Sequence, residues 1–277
     1  MPCREKRSDP QSAALAAIES QAAELCRTGF DLARRGATHA AARKFEQALT
    51  KLAEARDAER QDRIHSTALR QARQTLREAA EFEAMAAGDT PVARLVYAHE
   101  TPRAMGASPE AMAALSRWAA ARRYATFAQS QFAEAVGQSR SCSWALYGLA
   151  KLAAAEAAGP ARSPVRDGRI MALLQAALSA DPNNFAAANE LGVILAAYGQ
   201  LPQAKEALLH AARISTHPTT LGNLAQVHAQ LGETDLARQV RARSEQVAKA
   251  QNIVRTANAG PMVYWVEPKT FAETKER

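Results

Sequence analysis

The apolar positions of this chain recur at three- and four-residue intervals in long runs, the spacing that gathers them on one face of an α-helix. Leu15, Ile18, Ala22, Leu25 and Leu32 form the stripe of a first run, opened by Asp9-Pro10 and ended by Gly36. Proline in the first helical turn gives up no hydrogen bond, and glycine accepts the left-handed conformation that ends a helix. Ala41, Phe45 and Ala48 start a second stripe. No Gly or Pro occurs from Thr38 to Ala87, yet ARDAERQDR is too polar to continue the pattern, so a break is expected near Asp57–Asp62. A third helix, about 62–87, then buries Ala68, Leu69, Ala72, Leu76 and Ala79. Residues 88–108 hold several Pro and Gly and are expected as a loop packed through Leu95, Val96 and Tyr97. Ser108-Pro109-Glu110 opens a helix to about Val136, which carries Leu115, Trp118, Tyr124, Phe127 and Phe132.

From Asp181 to Lys249 the pattern repeats. Gly192, Gly199 and Ala204 in the first copy have the spacing of Ala225, Gly232 and Ala237 in the second, 33 residues on. Small residues at such offsets suit two antiparallel helices whose axes cross closely, with Gly199 and Gly232 just past the first helix of each pair. Asp181-Pro182 and His217-Pro218 stand at the start of each copy. Gly29 precedes Ala41 by the interval that separates Gly192 from Ala204. Trp144 precedes Gly148 by four residues, and the set Ile170, Leu174, Ala177 follows about ten residues later than the repeat requires.

This spacing resembles the tetratricopeptide repeat, a helical hairpin with a period near 34 residues. The resemblance covers 181–250, 141–182 with an inserted surface loop at 159–167, and 22–52. It implies an all-α fold: a helical-hairpin solenoid with an extended C-terminal tail. The organisation expected is a disordered N-terminus (1–8), an N-terminal helical region (9–87), the 88–108 loop, a helical domain (109–250) and the tail (251–277).

The function the resemblance implies is a non-catalytic protein–protein interaction scaffold. In that family the first helix of each hairpin lines the concave face. The corresponding positions here are Ala186, Asn189, Val193 and Ala196, then Thr219, Gly222, Gln226 and Ala229. Some members grip a partner's terminal carboxylate with Lys and Arg there; this chain has neither at those positions, leaving a small, neutral groove. In the tail, Tyr264 and Trp265 lie within the apolar run Met262–Val266 and are candidate contact residues. The tail is expected to dock in cis across the groove, with binding in trans, or packing only on the last helix, as the competing arrangements.

Charge alters this picture little. The net charge of +7 divides as +2 over 1–87, +4 over 88–180, 0 over 181–249 and +1 over 250–277, so it is spread rather than gathered as in a polyanion binder. Arg56, Arg60, Arg63, Arg70 and Arg77 would share one face if their helix were continuous. That stripe is the basis of an alternative function, an adaptor at nucleic acid or an anionic membrane. Interleaved acidic residues favour an ordinary solvated face instead.

Cys3, Cys26 and Cys142 are odd in number and far apart, which suits a reducing compartment and a cytoplasmic location. The six His lack metal-ligand spacing, and no phosphate-binding or nucleophile-elbow motif occurs. No enzyme activity, cofactor, metal or small-molecule substrate is therefore expected. An unidentified protein is the expected partner, with nucleic acid and membrane disfavoured. The one catalytic alternative would centre on Tyr97, His99 and Glu100.

Overall fold

Every helix of this chain must bury one apolar stripe, and the structure, a computed structural model, meets that need by pairing helices. It describes residues 10–84, 91–155 and 163–257, and all regular elements among them are α-helical. In chain order these are α1 (Pro10–Arg34), α2 (Thr38–Arg60), α3 (Ile64–Ala84), α4 (Val92–Ala98), α5 (Thr101–Ala104), α6 (Pro109–Ala113) and α7 (Arg117–Val136). They continue with α8 (Arg140–Ala155), α9 (Pro164–Ala180), α10 (Phe185–Ala197), α11 (Leu201–Ile214), α12 (Pro218–Gln230) and α13 (Thr234–Ala257). The helices fall into two units divided after Pro182.

In the first unit α1 packs on α2, α8 packs on both, and α9 packs on α8. The centre of this group is Phe45 of α2, which is fully buried. Gly29 of α1 faces it: a Cβ there would stand 2.7 Å from the ring. Gly148 of α8 also faces it, and its Cβ would stand at 2.5 Å. Both glycines are thus required by close approach rather than by backbone angle. Phe30, Trp144 and Tyr147 extend the aromatic cluster.

The α8 N-terminus is tied to α1 by polar groups. The Glu19 carboxylate accepts from the Ser139 hydroxyl and, at 2.9 Å, from the Ser141 N–H. The Ser139 hydroxyl in turn accepts from the Cys142 N–H, and the Ser141 hydroxyl donates to the Glu19 carbonyl. An acidic side chain and a hydroxyl cap at a helix N-terminus satisfy donors that the helix itself cannot.

The rest of the first unit is a second packing group, α3 against α7 with α9 alongside. Its core gathers Ala79, Phe82, Val96, Met112, Ala120, Tyr124 and Val165. The expected break at Asp57–Asp62 is present, and its mechanism is specific. Gln61 adopts a left-handed conformation (φ 57°) that closes α2. The Asp57 carboxylate then reaches forward to accept from the His65 and Ser66 N–H groups at 2.8 and 2.9 Å, capping α3.

In the second unit α10 packs on α11, α12 packs on α11 and α10, and α13 packs on α12. A Cβ on Gly192 would stand 2.6 Å from Leu208 Cγ, and Ala204 and Leu208 are fully buried. Leu208 follows Ala204 by four residues, as Phe45 follows Ala41, so one crossing geometry serves both units.

Four sequence expectations are corrected. Residues 88–108 are not simply loop, because α4 and α5 form within them; Val96 is buried and Leu95 partly so, but Tyr97 is exposed. The helix expected over 109–136 is interrupted after Ala113, and the Ser116 hydroxyl caps its second part by accepting from the Ala119 N–H. The inserted surface loop expected at 159–167 does not extend through 163–167: Ser163 caps α9, which starts at Pro164, and Val165 and Asp167 are buried, while 159–162 lie outside the described residues. The C-terminal tail was placed from 251, yet α13 continues to Ala257. The N-terminal 1–8 and the remainder of the tail, with Tyr264 and Trp265, lie outside the described residues.

Candidate functional site: the α10–α12 face and the α2–α3 cleft

The eight candidate groove residues fall on two helices that pack side by side. Ala186, Asn189, Val193 and Ala196 belong to α10; Thr219, Gly222, Gln226 and Ala229 belong to α12. The two sets differ in accessibility. Ala186, Val193 and Ala196 are half-buried, whereas Thr219, Gly222, Gln226 and Ala229 are exposed. Asn189 is buried, and its side-chain oxygen accepts from Asn223 Nδ2 at 3.0 Å. It therefore fixes α12 to α10 more than it offers a free contact. Asn223 was missed in the sequence because the repeat offset from Asn189 selects Gly222, and Asn223 is the residue after it.

Both helices start on a side-chain cap. The Asn184 side-chain oxygen accepts from the Ala187 N–H at 3.1 Å, and His217 Nδ1 accepts from the Thr219 N–H at 3.3 Å. Behind α12, Glu233 accepts from Lys205 Nζ at 2.7 Å and pairs with His228 Nδ1. Hydrogen bonding to Lys205, then to His228, holds the Glu233 carboxyl below the usual carboxylate range. This arrangement joins α11, the end of α12 and the turn before α13.

Tyr97, His99 and Glu100 are not brought to one place. Tyr97 is exposed, while the His99 ring is buried, with Nδ1 at 3.1 Å from the Tyr124 hydroxyl and Nε2 at 3.4 Å from Glu81. Burial raises the Tyr124 hydroxyl pKa well above its ordinary value, with Glu78 and Glu81 adding to the effect. The backbone N–H of Glu100 donates to the buried Glu78 carboxylate at 2.9 Å beside the Thr101 N–H at 3.0 Å, and its carbonyl accepts from the Ala104 N–H. Glu78 caps α5. Among the described residues no group of three or more His, Cys, Asp or Glu could hold a metal ion.

The arginine stripe does not survive as one face, since α2 ends at Arg60 and α3 starts at Ile64. Arg56 turns to the α7–α8 junction and donates to the Gln138 carbonyl at 2.8 Å. Arg70 and Arg77 instead flank an open cleft of about 280 Å³, lined also by Thr50, Ala53, Ser66, Leu69 and Arg73. Arg73 was not part of the stripe; its role depends on where α2 lies, which α3's own periodicity does not encode.

Cys26 and Cys142 are buried free thiols, each pushed up to about 12 chiefly by burial. No described helix is long and apolar enough to cross a membrane. No protein-family model matches the chain, and no curated protein matches it.

Proposed function

We propose that the chain is a non-catalytic scaffold that binds a protein partner on stacked hairpins of tetratricopeptide type. The observation that carries this reading is the repeated crossing. A glycine on the first helix of a pair receives a bulky residue sixteen positions on, Gly29 with Phe45 and Gly192 with Leu208. The neighbour relations support it too. A third helix contacts both members of the preceding pair, as α8 does with α1 and α2 and as α12 does with α10 and α11. Hairpins that stack this way bury their flanks on each other and leave their first helices as a shared surface.

The proposed contact surface is the accessible part of the α10–α12 face, the half-buried Val193 and Ala196 with the exposed Thr219, Gln226 and Ala229. It is small-sided and uncharged, and suits an apolar strand or helix. Non-catalysis fits the chemistry of the described groups: both thiols are held protonated, and Asp57 and Glu78 are engaged as helix caps. Buried reduced thiols suit the cytoplasm, the proposed location.

The C-terminal segment is the proposed occupant of this face in the absence of a partner. Cross-linking from a photoreactive residue at Gln226 tests both ideas. Truncation after Gly260 should raise capture of a partner, and Val193→Arg with Ala229→Arg should abolish it at unchanged melting temperature. Capture that is insensitive to the Arg substitutions would place binding elsewhere.

A further inference from the structure

The α2–α3 cleft is positively charged, with Glu46 a nearby anion that acts on Arg73. Arg70, Arg73 and Arg77 recur at three- and four-residue intervals along α3, so one face presents all three guanidiniums to one cleft. No carboxylate side chain lines it. Among the described residues none of the three makes a salt bridge: Arg73 donates to the Glu46 carbonyl and the Thr50 hydroxyl, and Arg77 donates to the Gln74 side chain. Arg70 and Arg77 are exposed and are the accessible donors of the cleft. Among the described residues the buried Arg73 Nε has no acceptor, and it reaches one in the cleft only if its side chain shifts. Thr50 has a positioning part. Its hydroxyl donates to the Glu46 carbonyl and accepts from Arg73, which holds that guanidinium in place.

We propose that this cleft binds a phosphomonoester, its phosphoryl group seated on Arg70, Arg73 and Arg77. A carboxylate would satisfy one guanidinium fork. A phosphomonoester carries about −1.5 to −2 charge and three acceptor oxygens, enough for three. A cleft of about 280 Å³ has room for a phosphoryl group and part of the molecule that carries it. A nucleic-acid strand is the weaker match: it needs a track of cations and exposed aromatic rings, whereas Arg56 is turned away to Gln138 and no aromatic residue lines the cleft.

The test is titration of the full chain with phenyl phosphate, followed by the Arg side-chain Nε–H signals in NMR, with acetate at equal ionic strength as control. The expected result is a saturable shift of the Arg73 signal that acetate does not reproduce. The double variant Arg70→Gln/Arg77→Gln should weaken binding by about tenfold or more. Both side chains are exposed, so its helicity should match wild type. Phosphoserine peptides and a sugar phosphate distinguish the sources of the group. Tighter binding of the peptide points to a modified protein and tighter binding of the sugar phosphate to a free metabolite; either supports the site. Equal response to acetate, unchanged affinity in the double variant, or preferential binding of single-stranded oligothymidylate that survives the double variant would overturn it.

Discussion

Phe45 shows how little tolerance a residue-scale contact can have. Its ring lies against Gly29 and Gly148, on helices more than a hundred residues apart in the chain. A methyl group on Gly148 has no room, because the ring is fully buried and held by α1 on its other side. Gly148→Ala should cost about 1–3 kcal/mol in urea-induced unfolding, the usual range for overpacking a filled core. Phe45→Leu in the same chain should recover part of that loss, since a smaller side chain vacates the space. A double variant no more stable than the sum of its single effects would show that the clash lies elsewhere. The glycine at position 29 was legible from its interval to Ala41. That Gly148 meets the same ring was not, because no local signal records which distant helix a buried aromatic touches.

At the scale of the helix, two caps are made by carboxylates from other elements. Asp57 caps α3 from α2, and Glu78 caps α5 from α3. Burial alone would raise both pKa values. Hydrogen bonds outweigh it, from Ser66 and His65 on Asp57 and from Thr101, Gln74 and Glu100 on Glu78, so both carboxyls sit below their ordinary range. Groups shifted this way stabilise the fold above about pH 4, and that stability is lost as pH falls through the lowered folded values. Asp57→Asn should therefore cost about 1 kcal/mol at neutral pH, and Glu78→Gln about 1–3 kcal/mol. Against pH, each variant's curve should converge on wild type as pH falls through the lowered folded value, below which the native carboxyl is itself protonated. Parallel curves down to the lowest pH would remove these carboxylates from the acid transition. The start of α9 gives another check at this scale. Deleting 159–167 would remove the Ser163 cap and the buried Val165, so melting temperature should fall rather than stay constant. The sequence misplaced this boundary because an excess of about ten residues can be counted, but its position cannot, when both flanks are rich in alanine.

Across the molecule, the parts legible in the sequence are those whose contacts are local. The register of α10–α13, with Gly192 opposite Ala204 and Leu208, follows from spacing alone. So does the break between α2 and α3, where polar residues interrupt the stripe. The segment 88–108 was harder, because its Pro and Gly signal turns equally well around short helices or none. Val96 is buried in a cluster with Phe82 of α3 and Met112 of α6, which the segment itself cannot announce. The eight candidate groove residues lie on α10 and α12, two helices in contact with each other. The α2–α3 cleft was visible only as scattered arginines until α2 was set beside them.

The hairpin α1–α2 and the helix α8 that stacks on it are separated in the chain by α3 through α7, and the Glu19–Ser141 bond spans 122 residues. Closing so long a loop costs entropy before any contact compensates for it, and folding slows as contacts become less local. In the second unit the helices in contact are one or two apart in the chain, and the Asn189–Asn223 bond spans 34 residues. In pulsed hydrogen exchange during refolding, amides of α10–α12 should gain protection before those of α8. Glu19→Ala should leave the second unit's rate untouched. During synthesis, α1 and α2 leave the ribosome well before α8, so Phe45 waits with one side of its ring uncovered. That interval is where this protein is most exposed to aggregation or to capture by a chaperone.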